Sequence, residues 1–294
     1  TFDGQGHSLT LGLKVIRQGD YSGSLFRFVR DAQFRNLTLR GSVFTHGKHG
    51  AGLVCSAEGV CSFTNVISDV DVTSDSFDDC IGGLVGIAGE NYLPRMADLT
   101  FINCAFTGSI RYSGADADSV SRNGIFTHHG GCFVGWKGKW NTKIYMMNCY
   151  ASPRFIDHSN YFSSFVRYWS GRDVGLIYAK NCYYSSSVPD YGRSISNKNQ
   201  GEAKSPAEFA DGTVCRLLNN DNLQTPIWSQ VLGEDTLPRP TCSEFQMTGM
   251  HTVLIGTEEE LEHFIQAVNA GSVHQNAMLT ADIDYRGHRE MIGS

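Results

Sequence analysis

The sequence predicts an all-β chain: a right-handed parallel β-helix, or solenoid, with short capping α-helices. Three observations predict it. A short phrase recurs down the chain, its apolar residues alternate as in half-buried strands, and no useful helical periodicity occurs between residues 20 and 185.

The phrase is clearest where "CIGGLVG" is followed, after a polar stretch, by "FINC". Each copy holds a small residue and then a bulky apolar pair: Leu25-Phe26, Leu53-Val54, Leu84-Val85, Phe133-Val134 and Phe165-Val166. An asparagine follows later in each: Asn36-Leu37, Asn65-Val66, Asn103-Cys104, Asn148-Cys149 and Asn181-Cys182. The copies are unequally spaced, and the excess length falls in polar segments such as "YSGADADSVSRNG". Insertions at one place in a repeat are loops on one side of a regular scaffold.

Residues 1–185 therefore form the coils. In "ADLTFINCAFTGSI" the positions Leu99, Phe101, Asn103 and Ala105 share one strand face. Coils stacked at the strand spacing of about 4.8 Å place equivalent residues above one another. Asn36, Asn65, Asn103, Asn148 and Asn181 then make a ladder of side-chain amides at the turns. Cys104, Cys149 and Cys182 make a column of buried, reduced thiols beside it. Asn36-Leu37-Thr38 also matches a glycosylation acceptor, but a ladder asparagine points inward. The glycines suit tight corners, where φ is positive or the backbone is crowded.

Residues 186–245 form a closing segment. "KSPAEFADGTVCRLLNN" carries a helix start with Ser205 as N-cap, Pro206 in the first turn and Glu208 closing a capping box. Phe209, Leu217, Leu218 and Trp228 supply its apolar contacts. Residues 246–294 form a cap helix and a strand. Thr257 and Glu260 make its capping box, Gly271 ends it, and Leu261, Phe264, Ile265 and Val268 lie on one face. Both segments are expected to cover open ends of the stack, where exposed strand edges invite aggregation.

Composition narrows the partners. The net charge is −6 and basic residues are scattered, which argues against nucleic acid. No apolar run reaches 18 residues, so no membrane-spanning helix is expected. High glycine (32), low proline (7) and only 18% charged residues suit a β-rich extracellular protein and argue against disorder. The opening "TFDGQGHSL" has no initiator methionine, which points to a processed or excised segment. Nine cysteines cannot all pair within one chain; Cys55 with Cys61, and Cys215 with Cys242, are candidate disulfides.

No P-loop, GxSxG elbow, HExxH or CxxC pattern occurs, so no cofactor or metal is expected. Asp69 and Asp71 are two apart on a strand and share a face. Such a pair could act as acid and base on a glycoside, as a glycoside hydrolase or a polysaccharide lyase would use it, or bind calcium. The plainer reading is a solvated strand face. Asp116 and Asp118 lack the glycine and terminal glutamate of a calcium loop, and His128 and His129 diverge on a strand. Aromatic residues gather in the last two coils: Trp136, Trp140, Tyr145, Tyr150, Tyr161, Tyr168, Trp169, Tyr178, Tyr183 and Tyr184. Some are core. Trp136, Trp140, Tyr168 and Trp169 are the candidates for stacking on sugar rings or forming an interface.

Gly83-Leu84-Val85-Gly86 resembles the core of the GLUG motif of bacterial cell-surface proteins. "TFDGQGHSL", "NCYYSSS", "SPAEFADGTVCRLLN", "WSQVLGEDTLPRP" and "IGTEEELEHFIQAVNAG" with "LTADIDY" are similar to further segments of that family. The resemblance implies a β-helix at a bacterial cell surface or outside the cell. The order departs from the family pattern, because the cap helix and "LTADIDY" stand last and not first. A circular permutant, one period of a tandem array, or a segment donated to the next subunit all fit.

Two functions are carried forward. The leading one is a non-enzymatic surface protein, an adhesin or self-assembling fibre subunit, joined head to tail by exchange of its C-terminal segment. Leu261, Phe264, Ile265 and Val268 would be its assembly residues, and other copies of the chain its partners. The alternative is a carbohydrate-active or glycan-binding β-helix that uses outward Asp and aromatic residues.

Overall fold

The computed structural model describes residues 1–15, 22–76, 79–89, 96–113, 128–138, 141–156, 162–168, 176–188, 200–220, 226–240, 252–271, 276–287 and 291–293. Its strands pair in parallel, rung upon rung, with one antiparallel exception between Trp228–Ser229 and Arg239–Pro240. This is a parallel β-helix.

One wall is built from Thr252–Ile255, Asn276–Leu279, Phe2–Asp3, the start of Gln33–Thr45, the middle of Val54–Ser74, Ala97–Ile102, Lys143–Met147 and Ile177–Lys180, in that spatial order. The register aligns Ala277, Phe2, Phe34, Phe63, Phe101 and Met146 in a single inward column. Alternation causes this: Ala97–Ile102 reads buried and half-buried in strict turn. Phenylalanines continue the column through the core. Phe34 stacks on Phe63 at 5.3 Å and Phe63 on Phe101 at 4.7 Å, and Phe133 and Phe165 extend the series.

The asparagines make the corner after this wall. Asn36, Asn65, Asn103, Asn148 and Asn181 all sit in the left-handed region, with φ between 50° and 54°. Asparagine tolerates that region better than other residues with a side chain. Each Nδ2 donates to the Oδ1 one rung earlier: Asn65 to Asn36 at 2.9 Å, Asn103 to Asn65 at 3.0 Å, Asn148 to Asn103 at 3.3 Å and Asn181 to Asn148 at 3.0 Å. At one end Asn36 donates to the Asp3 carboxylate at 3.2 Å. At the other, Asn181 also donates to the Leu217 carbonyl at 2.9 Å and accepts from the Tyr183 hydroxyl at 2.6 Å. Asn36 is buried, which removes it as a glycosylation acceptor.

The glycines do different work. Gly82 and Gly83 have ordinary φ but no room: a Cβ on Gly82 would lie 1.8 Å from the Val85 carbonyl oxygen, and one on Gly83 2.1 Å from that of Cys132. The chain folds sharply there, between Asp79–Gly82 and Val85–Ala88. Positive φ thus belongs to the asparagine corner and crowding to the Gly-Gly corner.

Among the described residues, three helices flank the coils: α1 (Pro206–Ala210), α2 (Thr213–Leu218) and α3 (Glu258–Asn269), with capping boxes on α1 and α3. The α1–α2 segment does not lie simply over an end. The second wall follows the asparagine corner and stacks Ser8–Val15, the later parts of Gln33–Thr45 and Val54–Ser74, Ala105–Phe106, Tyr150–Ala151 and Tyr183–Ser185. Phe209, Val214, Leu218 and Trp228 pack against Ala105, Tyr150 and Tyr183, which face outward from it. Leu261, Phe264 and Ile265 of α3 are buried in the main core, Val268 packs at its margin, and the Phe264 ring meets Phe2 at 6.4 Å.

The C-terminal segment closes the first coil of its own chain. Asn276–Leu279 pairs with Phe2–Asp3, and Ile283–Arg286 with Ser8–Val15. The Ala277 amide donates to the Thr1 carbonyl at 2.8 Å, and Ile292 bridges Phe26. Ser294 lies outside the described residues.

Cys55, Cys61, Cys80, Cys104, Cys132, Cys149, Cys182 and Cys215 are all reduced thiols and all buried. The proposed Cys55–Cys61 bridge is therefore absent: Cys55 Sγ donates to the His49 carbonyl, while Cys61 Sγ donates to that of Glu58. Cys242 lies outside the described residues. Cys104, Cys149 and Cys182 follow the ladder asparagines and stack with them. Burial alone holds the Cys132 thiol well above the ordinary range, and burial is also the main cause for Cys149.

Replacing Asn103 tests the corner. Asn103→Ala strands the amide groups of Asn65 and Asn148 and puts a Cβ residue without a local hydrogen bond in the left-handed region, so it should cost about 3 kcal/mol. Asn103→Gly keeps the backbone and should cost about 1 kcal/mol less. Equal losses in chemical denaturation would refute the left-handed requirement. The cysteines give a second check. In the native state a thiol reagent should leave all eight described cysteines unlabelled, and denaturant should release them. Rapid native labelling of Cys104, Cys149 or Cys182 would contradict the buried column.

Candidate functional site

Asp69 and Asp71 project from the outer face of the second wall, and the same guanidinium holds both. Arg154 Nη1 donates to Asp69, and Arg154 Nη2 donates to Asp71 at 2.8 Å. Carboxylates whose oxygens are engaged by a fork of N–H groups are poorly placed to deliver a proton to a leaving group. The geometry makes them one arm of an ion-pair cluster. Among the described residues, no group of three or more His, Cys, Asp or Glu side chains is placed to hold a metal ion. Asp116 and Asp118 lie outside the described residues.

Two of the expected aromatic contacts are not exposed. Trp136 keeps 9% of its surface and Tyr168 1%. The reason is the Gly-Gly corner. It folds one short sheet back beside another, and a small satellite core forms in the angle from Cys80, Ile87 and Trp136. His129 lies against the Trp136 ring, centroids 4.7 Å apart, and the Arg167 guanidinium sits over that ring at 5.2 Å. Trp136 and Tyr168 are structural. Trp140 and Trp169 lie outside the described residues.

Among the described residues, the exposed tyrosines of the last coils are Tyr145 and Tyr178, on the outer face of the first wall; Phe28 and Phe155 are exposed elsewhere. The two tyrosines are in register on neighbouring rungs, with rings stacked at 4.8 Å and 9° from parallel. They keep 38% and 46% of their surface. Strand alternation puts them there: in Lys143–Met147 the pattern runs exposed, buried, exposed, buried, exposed. Around them a groove of about 850 Å³ is lined by Thr100, Ile102, Met147 and Lys180, and ends at Gly201 and Glu202. The groove combines an apolar floor, an aromatic pair and charged groups at one end. Nearby, Gln200 takes the place of a strand: its side chain accepts from the Val166 amide at 2.6 Å and donates to the Val166 carbonyl at 2.9 Å. No sequence pattern announced that role.

His49, Cys80 and His129 are in register on one short sheet, beside the satellite core. His49 Nδ1 is shielded from solvent and has no hydrogen-bond partner. Burial, and secondarily the charge of Lys48, lowers the His49 pKa to about 4.

No family model matches the chain, and no curated protein matches it. Among solved structures it is similar to a Bacteroides ovatus protein described as a "putative immunoglobulin A1 protease". The two share 18% identity and superpose with a TM-score of 0.49, over 83% of this chain and 78% of that one. The functional reading rests on this chain's own surface.

The histidine gives a pH test. Its folded-state pKa lies below the unfolded value of 6.5, so the unfolded chain takes up the proton first. Stability present above pH 6.5 should be lost as pH falls toward 4, by up to about 3 kcal/mol. His49→Gln should flatten that part of a Tm-against-pH profile. A profile unchanged by the substitution would exclude His49 as its source.

Proposed function

We propose that this chain is a non-enzymatic glycan-binding β-helix module displayed at a bacterial cell surface. The observation that carries the reading is the exposed Tyr145–Tyr178 stack in its groove. Two tyrosines kept open on a rigid wall have hydroxyls for hydrogen bonding and flat apolar surface for the C–H faces of sugar rings. The wall fixes their spacing, so little ordering is required on binding. Lys180 and Glu202 offer a donor and an acceptor at the end of the groove. The resemblance of Gly83-Leu84-Val85-Gly86 to the GLUG repeats of surface proteins supports the location.

Two further observations favour binding over the other readings. Arg154 engages the one carboxylate pair that suggested acid–base chemistry. The chain's own C-terminal segment pairs with its first coil, so no donated segment is needed to complete that coil. Head-to-tail exchange would require Leu261, Phe264 and Ile265 to leave their own core.

A glycan array followed by calorimetry on the best neutral oligosaccharide tests the reading. Tyr178→Ala should weaken binding by about 1 kcal/mol, roughly fivefold, and Tyr145→Ala/Tyr178→Ala by more. Tyr178→Trp should retain it. Absence of any glycan ligand, or affinity indifferent to the double substitution, would refute the assignment.

A further inference from the structure

We propose that a second groove, on the other wall, binds an acidic sugar, with Arg40 as the ligand for its carboxylate. The groove has a volume of about 520 Å³. Its floor is the outer face of the second wall, where Arg40, Asp69, Thr107 and Arg154 come from successive coils. Its roof is a strap formed by residues 234–240. Three rung spacings separate Arg40 from Arg154, about 14 Å, which gives room for a short linear oligosaccharide along the solenoid axis.

The strap is fixed and the groove preformed. Trp228, at the base of the strap, is 1% exposed in the side core with Tyr150. The Tyr150 hydroxyl donates to the Pro238 carbonyl at 2.6 Å. Gln230 Nε2 donates to the carbonyls of Phe209 at 2.8 Å and Asp235 at 3.0 Å. A preformed polar groove binds without first ordering a loop.

The charges inside it are mostly spent on one another. Arg154 holds Asp69 and Asp71, and Arg239 Nη2 holds Asp235 at 3.0 Å. Among the described lining residues, Arg40 is the guanidinium without a carboxylate partner. Asp69, its in-register neighbour, is already taken by Arg154. Glu234 on the roof likewise has no cation partner among the described residues and serves as an acceptor for hydroxyls. A planar guanidinium pairs two N–H groups with a planar carboxylate, which selects a uronic acid over a neutral hexose. The other groups of the groove, Thr107 and the carboxylate oxygens, suit hydroxyls.

Calorimetry with tetragalacturonate and with its methyl ester tests the proposal, because the ester keeps the sugar backbone and removes the charge. The wild-type chain should bind the acid roughly tenfold or more tighter than the ester, with affinity falling as salt rises. Arg40→Gln should erase the difference without lowering Tm, and Tyr178→Ala should leave it intact. The tyrosine substitution separates this groove from the one on the first wall. Equal binding of acid and ester, no binding of either, or an acid preference that survives Arg40→Gln would overturn the assignment.

Discussion

A single amide hydrogen bond, repeated up the stack, ties each coil to the next. Each ladder asparagine meets two demands. Its backbone turns the corner in a left-handed conformation, and its side chain fixes the height and register of the neighbouring rung. A slip of one residue in a parallel sheet would turn the apolar column outward. The ladder resists such a slip, because a shifted coil would leave its amide facing no partner in a buried corner. The phenylalanine column inside the wall and the tyrosine pair outside it both inherit their alignment from that register.

The parts of the fold that repeat were legible in the sequence. Asn-Cys pairs, apolar pairs and alternation announced coils, corners and inward faces, because in a solenoid one local pattern serves every rung. The helix starts were legible for another reason: a capping box is a contact within four residues. Non-repeating contacts were not legible. Nothing near Gln200 in the sequence says that its side chain will complete a sheet beside Val166. Nothing in "SPAEF" says that Phe209 will pack on the flank of the solenoid against Tyr150.

The candidate sites divide in the same way. That Asp69 and Asp71 share a face follows from their spacing; that Arg154 engages both depends on a residue two coils away. Trp136 looked like a surface aromatic because nothing local reveals the fold-back that buries it. Tyr145 and Tyr178 were countable among the aromatics of the last coils. Alternation with Ile144 and Met146 in "KIYMM" was the signal that would have set Tyr145 outside. Aromatic size pointed to Trp136, which is buried, and strand parity points to the exposed Tyr145 and Tyr178.

The ladder is also a directed chain with two unlike terminators. One amide hydrogen of each asparagine points the same way, toward Asp3, so the aligned bonds place their positive pole against a carboxylate. At the opposite pole the last asparagine has committed both amide hydrogens, one to Asn148 and one to the carbonyls at the end of α2, while the Tyr183 hydroxyl donates to its oxygen. Neither terminator is another asparagine amide. The array is therefore bounded by two unlike groups: a whole coil inserted in its interior preserves both terminators, whereas an asparagine appended beyond either must first displace one.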